Sequence, residues 1–253
     1  MTVCKEVLAR VLTAFLALAQ KDKEMFHPKD IEMVKSNDWW IERFFISNRT
    51  EEEATRALIE AMEWRNDYGV LNINEDEFKD IKESGKFSLL GEINKLIIIF
   101  SKGLHTYNIT DKMGRPVLWN RFTQYKRGFW KKEQSKRFLV YIYELLDQKA
   151  GRNRWMMVGD GQDVVKENIS LELVYHMVNI LEKYYPASLN KMVALDMPQF
   201  LLDIGKDLIK IASPELKDVI VFVNGLAQLS EIFNQDQIPA YKLNLYSLST
   251  PKP

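Results

Sequence analysis

The sequence holds little that could staple a chain, span a membrane or catalyse a reaction. Cys4 is its one cysteine, which excludes an intrachain disulfide framework and any cysteine-based zinc site. No stretch reaches the ~20 apolar residues a helix needs to cross a bilayer, and the longest uniformly apolar run, Leu96-Ile97-Ile98-Ile99-Phe100, reads as a core segment. Charge of one sign is missing too. Lys+Arg number 35 and Asp+Glu 35, so the formal net charge is zero, and nucleic acid is not an expected partner because it needs an excess of cations. His27, His105 and His176 lie far apart and read as surface or packed imidazoles rather than metal ligands. Gly159-Asp160-Gly161 follows a strand-like run, yet there is no Gly-x-Gly-x-x-Gly, no Gly-Lys-Ser/Thr and no Gly-x-Ser-x-Gly. Cys4 and Arg10 have the Cys-x5-Arg spacing of thiol phosphatases, but the five residues between them are helical in character and lack glycine. No catalytic constellation emerges, and neither enzyme activity, a metal nor a cofactor is expected.

What is present is a supply of soft apolar surface. Thirteen Phe, ten Tyr, ten Met and six Trp accompany a hydrophobic share of 46% and a charged share of 28%, an ordinary soluble composition. A chain of this size buries nearly three quarters of its surface on folding. At the N-terminus, Val11 to Ala19 resembles a secretory apolar segment ending in Ala-x-Ala. Apolar residues at 3, 7, 8, 11, 12, 15, 16 and 19 also form a helical stripe, and Glu6 interrupts the would-be positive region. The amphipathic helix is the favoured reading, and a cytoplasmic compartment agrees with the lone thiol.

The first third reads as helices. Asn37 and Asp38 can cap a helix through Trp39–Phe45, and Thr50-Glu51-Glu52-Glu53 is a capping box whose helix ends at Gly69. The remainder alternates. Strands are expected at Leu104–Ile109, Pro116–Phe122, Trp155–Val158, Lys191–Leu195 and Val219–Val223, and helices at Glu133–Lys149, Ser170–Tyr185 and Gln199–Ala212. Such alternation implies an α/β layer with a largely parallel sheet. The expected organisation is a helical N-terminal lobe over residues 1–84, an α/β lobe over 85–239 and a loosely attached C-terminal tail over 240–253.

Two segments exceed a bland reading. Lys126-Arg127-Gly128-Phe129-Trp130-Lys131-Lys132 sets four cations around an aromatic pair, which reads either as a solvated loop or as a membrane-surface anchor. Gly205 sits at the centre of the amphipathic stretch Phe200–Ile211 and weakens it by roughly 1 kcal/mol relative to Ala. That suits a helix that must move, and equally one that packs closely.

The order of motifs resembles a known family. Asp38-Trp39-Trp40-Ile41-Glu42-Arg43-Phe44-Phe45, then Ala54 and Glu63-Trp64-Arg65, are similar to the helical lobe of Sec14-like (CRAL-TRIO) lipid-binding proteins. Asp111-Lys112-Met113-Gly114-Arg115-Pro116-Val117, Tyr184-Tyr185-Pro186 and Asp196-Met197-Pro198 follow in the family's order, with Ile238-Pro239-Ala240-Tyr241 near the end. Trp-Ile-Glu and Asp196-Met197-Pro198 look nearest to the lipid-binding domain of motile-sperm-domain-containing proteins. The resemblance implies a mixed, largely parallel sheet that floors a lipid cavity, with a helical gate at Phe200–Ala212. Pocket residues are then expected at Val117, Leu118, Trp119, Phe138, Tyr141, Met157, Leu195 and Val221, and on the gate at Phe200, Leu201, Ile204 and Leu208. The implied partners are a hydrophobic lipid and, transiently, a membrane surface touched through Lys126, Arg127, Phe129, Trp130, Lys131 and Lys132. The implied protein is a cytoplasmic monomer that binds, and transfers or presents, a lipid; the rival reading is a lipid-free scaffold or tether of the same fold.

Departures from the family pattern bear on the ligand. Members that exchange phosphatidylinositol carry Glu after Tyr-Tyr-Pro, where this chain has Ala187. They carry Lys before the last strand, where Val219 stands and Lys217 lies two residues earlier. Their N-terminal Arg-Lys pair falls near Ser47-Asn48-Arg49. A buried phosphorylated headgroup requires such charge partners, so a smaller or neutral headgroup is expected.

Overall fold

The computed structural model describes residues 3–48, 50–78, 89–90, 97–98, 105–124 and 132–249. Among the described residues, the N-terminal lobe is built from α1 (Lys5–Lys21), α2 (Pro28–Ser36), α3 (Trp39–Ser47) and α4 (Glu51–Tyr68). The stripe read in α1 buries Leu8, Val11 and Phe15, which join Phe26, Val34, Phe44 and Leu58 in one core. The capping box forms as expected, with Glu53 N donating to Thr50 Oγ1 and Thr50 N to Glu53 Oε2, each at 3.2 Å. Gly69 ends α4 in the left-handed region at φ 68°, a backbone conformation that favours glycine. At the start of α2, His27 accepts the Lys29 amide on Nδ1 and acts as a cap.

A short antiparallel pair, β1 (Leu89–Leu90) and β2 (Ile97–Ile98), precedes the main sheet. That sheet has five strands in sequential order: β3 (His105–Thr110), β4 (Pro116–Arg121), β5 (Trp155–Asp160), β6 (Leu189–Leu195) and β7 (Ile220–Val223). β3 and β4 are antiparallel around the Asp111–Arg115 turn, where Asp111 Oδ1 accepts the amides of Met113 and Arg115. The other pairings are parallel. They are connected by α5 (Lys132–Ala150), then α6 (Leu171–Lys183), then α7 (Gln199–Ile211) with α8 (Pro214–Val219). Strands added one after another with right-handed crossovers place every crossover helix on the same face. Both faces of β5 are covered and all six of its residues are buried, as a central parallel strand requires.

The second face is closed from the C-terminal end by α9 (Gly225–Ile232) and α10 (Ala240–Ser249). Residues 240–249 are therefore not the loosely attached tail expected from the sequence. Lys242 is wholly buried, and its Nζ lies 2.8 Å from Asp160 Oδ1, 2.6 Å from Gln162 Oε1 and 2.7 Å from Asp196 Oδ2. Beside it, Tyr241 donates to Asp160 and accepts from Trp119 Nε1, and Tyr246 donates to Asp196. Burial alone would raise the Asp196 carboxyl, but hydrogen bonds from Lys242, Tyr246 and the Gly225 amide outweigh it and hold the group below its ordinary value. The tail reading failed because an isolated lysine and two tyrosines carry no periodic signal of burial. The expected lobe boundary at 84/85 lies outside the described residues.

Two buried arginines tie the helical lobe to α5. Arg65 reaches Asp30 with Nη2 at 2.9 Å and Glu144 with Nη1 at 2.5 Å, and Glu144 also accepts from Tyr185 OH. Burial opposes the charge on Arg65, yet Glu144, Tyr185 and Asp30 together hold its pKa above the usual value. Arg43 grips Asp147 at 2.7 and 3.0 Å, donates to the Pro186 carbonyl at 2.9 Å and touches Ser188. The Trp40 ring lies 4.5 Å from the Arg43 guanidinium and 5.1 Å from that of Arg65. Removing one partner of such a network strands a buried charge, which costs about 3–5 kcal/mol. Arg65→Met is therefore expected to lower unfolding stability by that amount in urea denaturation, and a loss below about 1 kcal/mol would mean the network is not what joins the lobes.

Candidate ligand cavity

Side chains alternate along a strand, so the parallel register sorts the sheet into rows. Leu118, Met157, Met192 and Ile220 stand side by side across β4 to β7, and so do Asn120, Gly159, Ala194 and Phe222. Both rows face the crossover helices and floor a cavity of about 250 Å³. Phe138 and Leu139 of α5, Leu173, Val174, Met177 and Val178 of α6, and Leu201, Ile204 and Leu208 of α7 complete its walls. No charged side chain among the described residues lines it.

Of the pocket residues expected from the sequence, Leu118, Phe138, Met157, Leu201, Ile204 and Leu208 come together around this cavity. Val117, Trp119, Leu195 and Val221 do not. They belong to the alternate rows and pack with Val158, Leu229 and Phe233 beneath α9 and α10. The physical reason is the two-residue period: both faces of a covered parallel strand are apolar, so hydrophobicity cannot tell the floor from the underside. Tyr141 points from α5 toward the helical lobe, with its ring 5.6 Å from that of Phe78. Phe200 is half-buried and not part of the lining. Lys126, Arg127, Phe129, Trp130 and Lys131 lie outside the described residues, and Lys132 opens α5.

Sequence reasoning missed the α6 wall and the second floor row. The α6 stripe was legible, since Leu173 and Met177, like Val174 and Val178, are four residues apart. Asn120 was also visible as a polar residue inside an apolar strand.

The seven-residue span from Asp196 to Leu202 joins the floor to the cover. Asp196 adopts a positive φ of 47°, and Met197 then fills a notch left by two glycines. A Cβ on Gly159 would fall 2.8 Å from the Phe122 ring, and one on Gly161 would fall 2.6 Å from the Met197 sulfur. α7 itself rests lightly on the cavity: none of its described side chains is fully buried, unlike those of α5. Beyond its own stretch of helix, Gly205 has no described atom within 4 Å of where a Cβ would sit. Close packing is thus not its role, and what remains is a weakened helix centre. Gly205→Ala is expected to raise unfolding stability by up to about 1 kcal/mol; a destabilised variant would show a neighbour that the present geometry lacks.

A second pocket, of about 480 Å³, lies between α3 and the β6 entry and is lined by Ser47, Asn48, Ala187 and Val219. These are the positions compared above with an inositol-lipid headgroup site. Among the described residues, the charged side chains around it are Arg154 and Lys183 against Glu60, Glu182 and Glu215. Burial and the nearby Arg43 lower the pKa of Arg154.

A helical lobe docked on a singly wound, mostly parallel sheet, with an uncharged cavity under its last crossover helix, defines an α/β domain suited to an apolar ligand. The CRAL/TRIO domain model matches residues 100–242, more than half of the chain, and the chain belongs to this family, which is known for lipid binding and transfer. The structure is similar to the crystal structure of Sfh5 at 15% sequence identity with a TM-score of 0.52, covering 88% of this chain and 82% of that one. That likeness concerns the fold. No helix among the described residues is long and apolar enough to cross a membrane.

Proposed function

We propose that the protein carries a hydrophobic lipid in the cavity under α7, and that α7 swings away to admit and release it. The observation that carries this reading is an uncharged apolar cavity covered by the most lightly buried crossover helix of the fold. An acyl chain left in water costs about 0.8 kcal/mol per CH₂, so a closed apolar chamber is what a carrier must supply. Four methionines, Met157, Met177, Met192 and Met197, line it and adapt readily to ligands of different shape. At about 250 Å³ the chamber is below the ~300–1,000 Å³ usual for ligand pockets, which supports a cover that moves when a longer lipid enters.

Ile204 lines the cavity from α7. Ile204→Asp puts an unpaired carboxylate on the apolar face of that helix. Native mass spectrometry of protein purified from cells is expected to find a lipid on the parent and none on the variant, with only a modest stability loss. A variant that stays loaded removes α7 from the gate. The mixed charges of the second pocket support a neutral headgroup, so little phosphatidylinositol transfer between vesicles is expected; robust transfer would overturn that preference.

Delivery requires contact with a bilayer. The basic-aromatic segment 126–132 supplies four cations, each contributing on the order of 1 kcal/mol near anionic lipid and weakened by salt. Weak, reversible docking on anionic vesicles is the expected behaviour. Lys131→Glu/Lys132→Glu should lower co-sedimentation in low salt and change little in high salt, whereas co-sedimentation equal to the parent at both would exclude this segment.

A further inference from the structure

The cavity is not uniform along its length. Its apolar end is formed by Met192, Ile220, Leu208, Ala212 and Leu216, and its other end lies where β4 finishes and α5 and α6 begin. Four polar lining residues gather at that second end, Asn120 on β4, Ser135 in α5, and Asn168 and Ser170 before α6, and a fifth, Tyr143, lines the cavity about two turns further along α5. Three of these are occupied within the protein. Asn168 Nδ2 donates to the Thr123 carbonyl at 3.3 Å and its Oδ1 accepts the Val165 amide at 3.0 Å. Ser170 Oγ caps α6 by accepting the Leu173 amide, and Ser135 is likewise engaged.

Asn120 differs. It is only 8% exposed, its Oδ1 is buried with no hydrogen-bond partner among the described residues, and it lines the cavity beside Gly159, its register partner. Burying an amide without a partner is costly, and an apolar residue would serve a mere floor better. A carboxamide can both donate and accept, which matches a hydroxyl, itself donor and acceptor. A charged head finds no counter-charge there, because no described lining residue is ionised at neutral pH.

Resting on the lipid reading above, we infer that Asn120 is the hydrogen-bonding anchor for an uncharged, hydroxyl-bearing head of the lipid, which enters head first toward the ends of β4 and β5. The tail then lies along Met157 and Met192 toward α8. A second unpartnered group, the Tyr143 hydroxyl, marks the opposite direction: its ring sits against Trp155 at the start of β5, four residues or roughly 13 Å from Gly159.

The test uses delipidated full-length protein and three ligands of equal chain length: dodecanol, dodecanoate and dodecane. Each is presented from the same cyclodextrin complex and quantified on the protein after extraction. The parent is expected to hold dodecanol about tenfold more tightly than dodecane, the usual size of one net hydrogen bond, and to disfavour dodecanoate. Asn120→Leu should abolish the preference for the alcohol while dodecane binding persists, and Tyr143→Phe should leave the preference intact. The lipid-free Asn120→Leu protein should be as stable as the parent or more so, since it loses a buried unpaired amide. Equal binding of dodecanol and dodecane by the parent overturns the anchor and leaves the lipid cavity standing. Loss of the preference in Tyr143→Phe alone reverses the orientation and overturns it too, as does a destabilised Asn120→Leu, which would reveal an internal partner. Failure of all three ligands to bind instead overturns the cavity as a lipid site.

Discussion

Glu144 and Asp147 stand three residues apart on α5, and each holds a buried arginine of the helical lobe. Much else follows from those two contacts. α5 is the long crossover helix whose other face gives Phe138 and Leu139 to the cavity wall, so its position sets the width of the chamber. The same arginines reach past α5 to Tyr185, the Pro186 carbonyl and Ser188, fixing the entry of β6. Stacking of Trp64 on Tyr184, with ring centroids 3.9 Å apart, reinforces that corner. Buried ion pairs of this kind specify an arrangement more than they stabilise it, because their attraction must first offset desolvation. Here the arrangement specified is one lobe against one wall of the cavity.

The two faces of the sheet are held by opposite physics. On the underside, Lys242, Asp160 and Asp196 form a buried polar lock that binds α10 firmly. On the upper side, α7 meets the other described residues through apolar side chains, and its lysines pair with carboxylates of the same helix, as Lys206 does with Asp203 and Lys210 with Asp207. Those pairs are exposed and bind α7 to nothing else. Among the described residues no polar tie joins α7 to a neighbouring element, whereas α10 is held by a buried lysine. Polar ties and apolar cover are thus placed on separate faces of one sheet.

Much of the fold was legible in the chain. The capping box at Thr50, the stop at Gly69, the Asp111 turn and the alternation of strands with helices each rest on local chemistry that works within a few residues. The motifs around Arg43, Arg65 and Tyr185 were legible as a family pattern, but their roles were not, since the partners of Arg65 lie 35, 79 and 120 positions away. The pocket was half legible for a definite reason. Leu118 and Met157 could not be separated from Val117 and Trp119, because a parallel strand covered on both sides carries apolar residues at every position.

What the sequence determined by itself was where most of the helices and strands lie, and that a large supply of methionine and aromatic side chains was available for the interior. Only the tertiary structure decided which strand face met the crossover helices, because that depends on register across four strands and on the hand of the crossovers. It likewise decided that Gly205 faces open space, that Asn120 lacks a partner and that Lys242 is buried. Each is a property of what stands opposite a residue, and a linear chain does not record its own neighbours.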